Sequence, residues 1–329
     1  MRAHTATIDS LVIRLATPIV GGIALTLGAC DAPEEHPAGA VTDRDCPTWR
    51  CGFNSAEVNG RSIRELNLDG ATNSAGMKIT GFVAPLGLLG NYQLAVEGDE
   101  LVAKKTGSTL RGLGLIGATI LVKEPGLLSL PIPITIAGYS EIPSWADDAP
   151  AVPTYALIYP DLGSLLGSRN VCVGDLTELL ATSATVLGGE TYDLTSKQVN
   201  AGMTRWFTLA CAGSAAAKIR LMNYGPQSDF DGAGHPASVS SRQAALKMVT
   251  ADYCGGGTSY TQNGTPLQYE DTPGTVAVEG PPGDLEAIWT ASGAVCLDTT
   301  RIANTQVACT LPSCSSFGPE DGDWISYVP

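Results

Sequence analysis

Nine cysteines constrain this 329-residue chain more than any other feature. Cys30 closes an apolar N-terminal run. The other eight are Cys46, Cys51, Cys172, Cys211, Cys254, Cys296, Cys309 and Cys314. In a chain that leaves the reducing cytosol, an even set of this kind implies a disulfide framework. Eight cysteines allow about 105 pairings, so only local pairs can be argued from spacing. "CPTWRC" and "CTLPSC" each enclose a short loop with a proline inside, so Cys46–Cys51 and Cys309–Cys314 are expected to be bridged. The other four are expected to pair among themselves, with Cys211–Cys254 and Cys172–Cys296 preferred. Metal binding is the rival reading. No C-x2-C pair occurs, and the spacings are unlike those of zinc sites.

The N-terminus gives the compartment. Arg2 and Arg14 precede the apolar run Leu15–Cys30, which is shorter than a membrane-spanning helix requires. A charged start, a short apolar stretch and small residues before a cut site describe a secretory signal peptide. "LGAC" (Leu27 to Cys30) resembles the lipobox of bacterial lipoproteins. That resemblance implies lipidation of Cys30, cleavage before it, and a membrane partner reached through the acyl chains. Two or three such chains hold a protein stably at a bilayer. "DAPEEHPAGAVTDRD" follows, rich in Pro, Ala and acids, and reads as a disordered tether. The expected address is the bacterial cell envelope, lipid-anchored, facing the periplasm or the cell surface.

The whole chain carries a formal charge of −14. Residues 1–29 contribute +1 from Arg2, Arg14 and Asp9, which leaves the remainder at −15. Only one basic doublet occurs, Lys104-Lys105, so a nucleic-acid partner is not expected. Short apolar runs broken by Gly and Pro give a β-rich signature. Asn59-Gly60, Gly98-Asp99 and Asn263-Gly264 are placed as hairpin turns, and "LEAIWTASGAVCLD" as a further hairpin. Pro131 and Pro133 argue that their segment is an edge strand or an extended segment. "GSAAAKIRLMNYG" reads as a short helix closed by Gly225. "ASVSSRQAALKMVTADYC" reads as the principal helix, capped by Ser238 or Ser240 and ended by Gly255. The expected fold is mixed β and α+β: a β-rich N-terminal sandwich or small barrel, then a disulfide-stapled α+β domain. The expected division is a signal peptide over 1–29, a tether over 30–45, a β-rich domain over 46–165 and the α+β domain over 166–329.

Three histidines occur: His4 in the leader, His36 in the tether, and His235. One histidine in the folded part cannot build a multi-histidine metal centre. Neither H-E-x-x-H nor G-x-S-x-G occurs. No phosphate-binding glycine loop occurs in a strand-to-helix setting, and no cofactor is expected. A thiol hydrolase would use Cys254, with His235 as base and Asp252 as orienter; a disulfide at Cys254 is the competing reading. "DFDGAG" places Asp229 and Asp231 as candidate calcium ligands, against a simple polar turn. A paired-carboxylate hydrolase would draw on Asp252, Glu270 or Asp271. Trp145 and Trp324 could serve contacts with a partner, against ordinary core packing.

Met248–Asp271 with Glu286–Cys296, and more loosely Trp49–Gly60, resemble the ADYC-domain proteins, named for the tetrapeptide found here at Ala251–Cys254. These are exported bacterial proteins, often lipoproteins, and the resemblance carries no catalytic residues with it. It implies two further cysteines, near the positions of Lys218-Ile219 and Ala245, both absent here. A pair missing together is one bridge missing, which favours a structural role for the remaining cysteines. The expected function is therefore a lipid-anchored envelope protein, a non-catalytic binding or structural module, with an envelope protein or glycan as partner. The alternative is an envelope hydrolase using Cys254 and His235 or a carboxylate pair.

Overall fold

A computed structural model describes residue 49 and residues 55–85, 90–126, 129–164, 166–172, 179–278 and 280–329. The leader, Cys30, the tether with His36, and Cys46 and Cys51 lie outside the described residues.

The expected turns start the fold. β1 (Glu57–Val58) and β2 (Arg61–Ser62) join through Asn59-Gly60, with φ of 51° and 74°. β3 (Glu65–Asn67) and β4 (Lys78–Val83) follow. β5 (Gln93–Glu97) and β6 (Glu100–Lys105) join through Gly98-Asp99, with φ of 62° and 57°, and β7 (Ser108–Arg111) pairs on β6. Positive φ at both central residues matches the twist of the flanking strands. Then come β8 (Thr119–Lys123), β9 (Ile132–Ile142), β10 (Val152–Pro160), β11 (Ser168–Asn170), β12 (Ala184–Gly188), β13 (Glu190–Asp193), β14 (Gln198–Ala201) and β15 (Trp206–Cys211). Helices α1 (Ala215–Leu221) and α2 (Val239–Val249) precede β16 (Gln268–Asp271), β17 (Asp284–Thr290), β18 (Gly293–Leu297) and β19 (Trp324–Val328).

Eight strands form one sheet in the order β3-β15-β12-β10-β9-β8-β4, with β11 on β10, and the sheet nearly closes on itself. Its interior is an apolar core of residues such as Leu66, Ile120, Ile134, Tyr155, Val186 and Phe207. β16-β19-β17-β18 form a separate four-stranded sheet. α1, α2 and this sheet share a second core that includes Leu187 of β12 and Ala210 of β15. Successive side chains of a strand point to opposite faces. Val186 and Leu209 therefore enter the first core while Leu187 and Ala210 enter the second. That is why β12 is buried at every position. Strand-rich architecture with a stapled α+β part agrees with the expected fold class. Residue 165, however, is not a seam of the large sheet, which takes β12 and β15 from beyond it.

Several local expectations are corrected. β9 is central, between β8 and β10, despite Pro133. The prolines are tolerated because β10 pairs with β9 only from Thr135 onward, so Pro133 faces β8 alone. Asn263-Gly264 is a turn, but the flanking residues do not pair; β16 pairs with β19 instead. Asn223, not Gly225, ends α1: its φ is 65°, and Tyr224 N–H reaches back to Ile219 O at 3.0 Å. Ser238 caps α2 as expected, accepting from Ser241 N–H at 3.0 Å. Trp145 and Trp324 are buried, at 8% and 0% exposure, in the second core.

Among the described residues the disulfides are Cys172–Cys211, Cys254–Cys309 and Cys296–Cys314. The expected pairs Cys309–Cys314, Cys211–Cys254 and Cys172–Cys296 are all overturned. Cys172 follows the β10–β11 hairpin and joins the end of β15, whereas Cys309 and Cys314 bind partners on the corner after α2 and on β18. Spacing along the chain does not see these neighbours. Among the described residues, no helix is long and apolar enough to cross a membrane.

Candidate functional site

The signature tetrapeptide sits where α2 ends and the chain turns toward the four-stranded sheet. Ala251 takes φ 47° and ends the helix four residues before the expected glycine. Its side chain is fully buried. Asp252 is also fully buried; its Oδ2 accepts from Lys247 Nζ at 2.7 Å and from Gly257 N–H at 2.8 Å. Lys247, equally buried, also donates to the carbonyls of Ser196 and Gly255.

Tyr253 donates its hydroxyl to Glu286 Oε1 at 2.6 Å and accepts Arg301 N–H at 2.9 Å. Arg301 grips both oxygens of Glu286 and donates to the last carbonyls of α2 at Met248 and Val249. The Tyr253 ring stacks on Trp289 with centroids 5.3 Å apart. Burial, then the Glu286 charge, pushes the Tyr253 phenol up. Cys254 is bonded to Cys309. The side chains of the motif are thus bound within the corner itself, except for Asp252 Oδ1, which is buried without a hydrogen-bond partner.

The glycines after Cys254 are close-approach positions. A Cβ at Gly255 would lie 1.9 Å from Ser292 O, and one at Gly257 would lie 2.3 Å from Thr195 O. Both have positive φ. No side chain could replace either without moving backbone.

The proposed catalytic residues each have a different partner. Cys254 holds no free thiol while bridged. His235 is exposed, with Nδ1 2.8 Å from Asp231 Oδ2. Asp252 pairs with Lys247. Asp231 and Asp229 use oxygens on their own loop: Asp231 Oδ1 accepts Ala233 N–H, and Asp229 Oδ1 accepts Gly234 N–H. Among the described residues, no cluster of three or more His, Cys, Asp or Glu side chains could hold a metal. Glu270 accepts the Tyr327 hydroxyl, and Asp271 accepts the Tyr224 hydroxyl.

Sequence reasoning missed the buried ion pairs. Arg242–Glu190, Lys247–Asp252 and Arg301–Glu286 are all nearly or fully excluded from water. Only Lys247 and Asp252 gave any signal, by lying five residues apart around a helix end.

Beside the corner opens a cleft of about 130 Å3. The turn between β13 and β14, the start of α1, and residues 259–267 enclose it. Arg64, Lys197, Lys218 and Arg301 contribute to its wall. Arg64 and Arg301 have carboxylate partners, Glu65 at 3.2 Å and Glu286 at 3.0 Å. Burial pushes the Lys197 ammonium pKa down.

A family model, described as the ADYC domain, matches residues 112–303, more than half of the chain. No curated protein and no solved structure matches it.

Proposed function

The chain belongs to the ADYC-domain family, and we propose that it is a lipid-anchored cell-envelope protein that acts by binding rather than by covalent catalysis. The observation that carries this reading is the bridge from Cys254 to Cys309, with Asp252 and Tyr253 committed on either side of it. A disulfide sulfur is not a nucleophile; the thiolate is. The corner then serves as the scaffold of the adjacent cleft, to which Arg301 and Val249 both contribute wall. The "LGAC" sequence and the bridged cysteines support an exported, anchored protein.

Alkylation of the folded protein with and without reductant, followed by mass mapping, tests the binding reading. Cys254 is expected to react only after reduction. A Cys254 that reacts without reductant overturns the reading and restores the thiol hydrolase. Replacement of Cys30 with Ala, followed by fractionation, tests the anchor. The variant is expected in the soluble fraction, and membrane retention would remove the lipoprotein claim.

A further inference from the structure

The wall of the cleft reverses the charge of the molecule. The chain has 33 acidic and 19 basic residues. The cleft is lined by four of the bases and by no carboxylate. Partners elsewhere reduce this excess. Arg301 is neutralised by Glu286 in a two-point contact. Arg64 uses a terminal nitrogen on Glu65 and on Tyr192 O. Its Nε–H, however, is buried without an acceptor. Lys197 donates to Leu194 O and is partly desolvated.

The apolar part of the remaining wall comes from Leu209, Val249 and Leu267, set among hydroxyl and amide side chains such as Ser214, Thr261 and Gln262. Size limits what fits. An apolar cavity of about 150 Å3 takes a benzene molecule. A cleft of about 130 Å3 therefore holds a single ring or a chain of similar bulk.

We propose that this cleft binds a small organic carboxylate, with the anion held between Arg64 and Lys197 and the apolar body against Leu209, Val249 and Leu267. The proposal rests on the reading of this chain as a binding protein and supplies the ligand class. The recognition follows from chemistry: a carboxylate offers acceptors to the guanidinium and ammonium donors, and a ring or short chain fills the apolar wall.

Calorimetric titration of the full chain with benzoate, hexanoate, benzamide and inorganic phosphate tests it. Both acids are expected to bind saturably. Benzamide should bind at least about tenfold more weakly than benzoate, because it lacks the charge. Phosphate should not bind, because it has no apolar part. Lys197→Gln should lose about tenfold in benzoate affinity, and Lys197→Arg should retain it. Thr261→Trp, which places an indole at the cleft wall, should abolish binding of both acids. Equal affinity for benzoate and benzamide, binding of phosphate as tight as benzoate, or no saturable binding of either acid would each overturn the ligand class. The underlying reading fails separately, through a free Cys254 thiol, so the two failures are distinguishable.

Discussion

Lys247 Nζ lies 2.7 Å from Asp252 Oδ2, and neither side chain is exposed. The desolvation of two such charges is offset only when further hydrogen bonds complete them. Ser196 O and Gly255 O do so for Lys247; for Asp252, Gly257 N–H joins Lys247 on Oδ2, while Oδ1 is buried without a partner. Lys247→Met or Asp252→Asn leaves its partner incompletely matched. Each is expected to destabilise the fold by about 3 kcal/mol. A lower urea midpoint with an unchanged slope reads this. The double variant Lys247→Met/Asp252→Asn should recover at least about 1 kcal/mol relative to the sum. Simple additivity would show that the two residues act independently.

The three bridges among the described residues differ in access. Cys172, Cys211, Cys296 and Cys314 are buried, at 3% exposure or less, while Cys254 and Cys309 are half-buried. Thiol–disulfide exchange requires that the attacking thiolate reach a sulfur. Limiting reductant should therefore open Cys254–Cys309 first, as read by mass mapping of the alkylated thiols. Replacing both with Ser should destabilise the protein by about 2–4 kcal/mol. Prior opening of Cys172–Cys211 would contradict this order.

Asp99 reaches from a hairpin turn into the interior. Its oxygens accept Gly188 N–H at 2.8 Å and Gln227 N–H at 2.9 Å. Burial pushes its pKa up, and Arg220 opposes that only in part. The native state therefore holds the proton more tightly than the unfolded chain. Asp99's contribution is fully present below its unfolded value, near 3.8, and is lost as pH rises through the raised native value. Asp99→Asn removes this titration and keeps one oxygen acceptor. Its stability should fall less steeply with rising pH than that of the wild type, measured by urea unfolding. Parallel slopes would exclude Asp99 as the origin.

Asp231 behaves in the opposite sense. Backbone N–H of Ala233, then the His235 side chain, pull its pKa down to about 2. The order it gives its loop is present above the ordinary carboxylate value and is lost as pH falls through about 2. A carboxyl NMR titration should place the midpoint there. His235→Ala should raise that midpoint while leaving it depressed, because the Ala233 N–H remains. An unmoved midpoint would mean that the His235 ring contributes nothing.

Turn chemistry was the legible part of the fold. Asn59-Gly60 and Gly98-Asp99 are residue types that tolerate positive φ, so the hairpins follow from two residues each. Ser238 announced the start of α2 for the same local reason. The end of α2 was hidden, because Ala251, with no preference for positive φ, is held there by the corner around it. Nearness along the chain points to Cys309–Cys314, whereas Cys296 and Cys314 meet through the packing of the small sheet; the preference for Cys211–Cys254 and Cys172–Cys296 rests on no local signal. Glu190, Glu286, Arg242 and Arg301 carry no local signal of pairing; only the fold brings each to its partner. The cleft had no signature at all, since Arg64, Lys197 and Leu267 approach from three separate elements.

The large sheet also fixes when the molecule can form. Leu66 on β3 pairs with Phe207 on β15, about 140 residues further along the chain. A polypeptide emerging N-terminus first must carry β3 without its neighbour while about 140 further residues are made. Cys172 must likewise wait for Cys211. A fragment ending before Trp206 would expose an unpaired edge on β12, a template for association with other chains. Completion is in this sense late and sudden, and half the protein is not a smaller version of the whole.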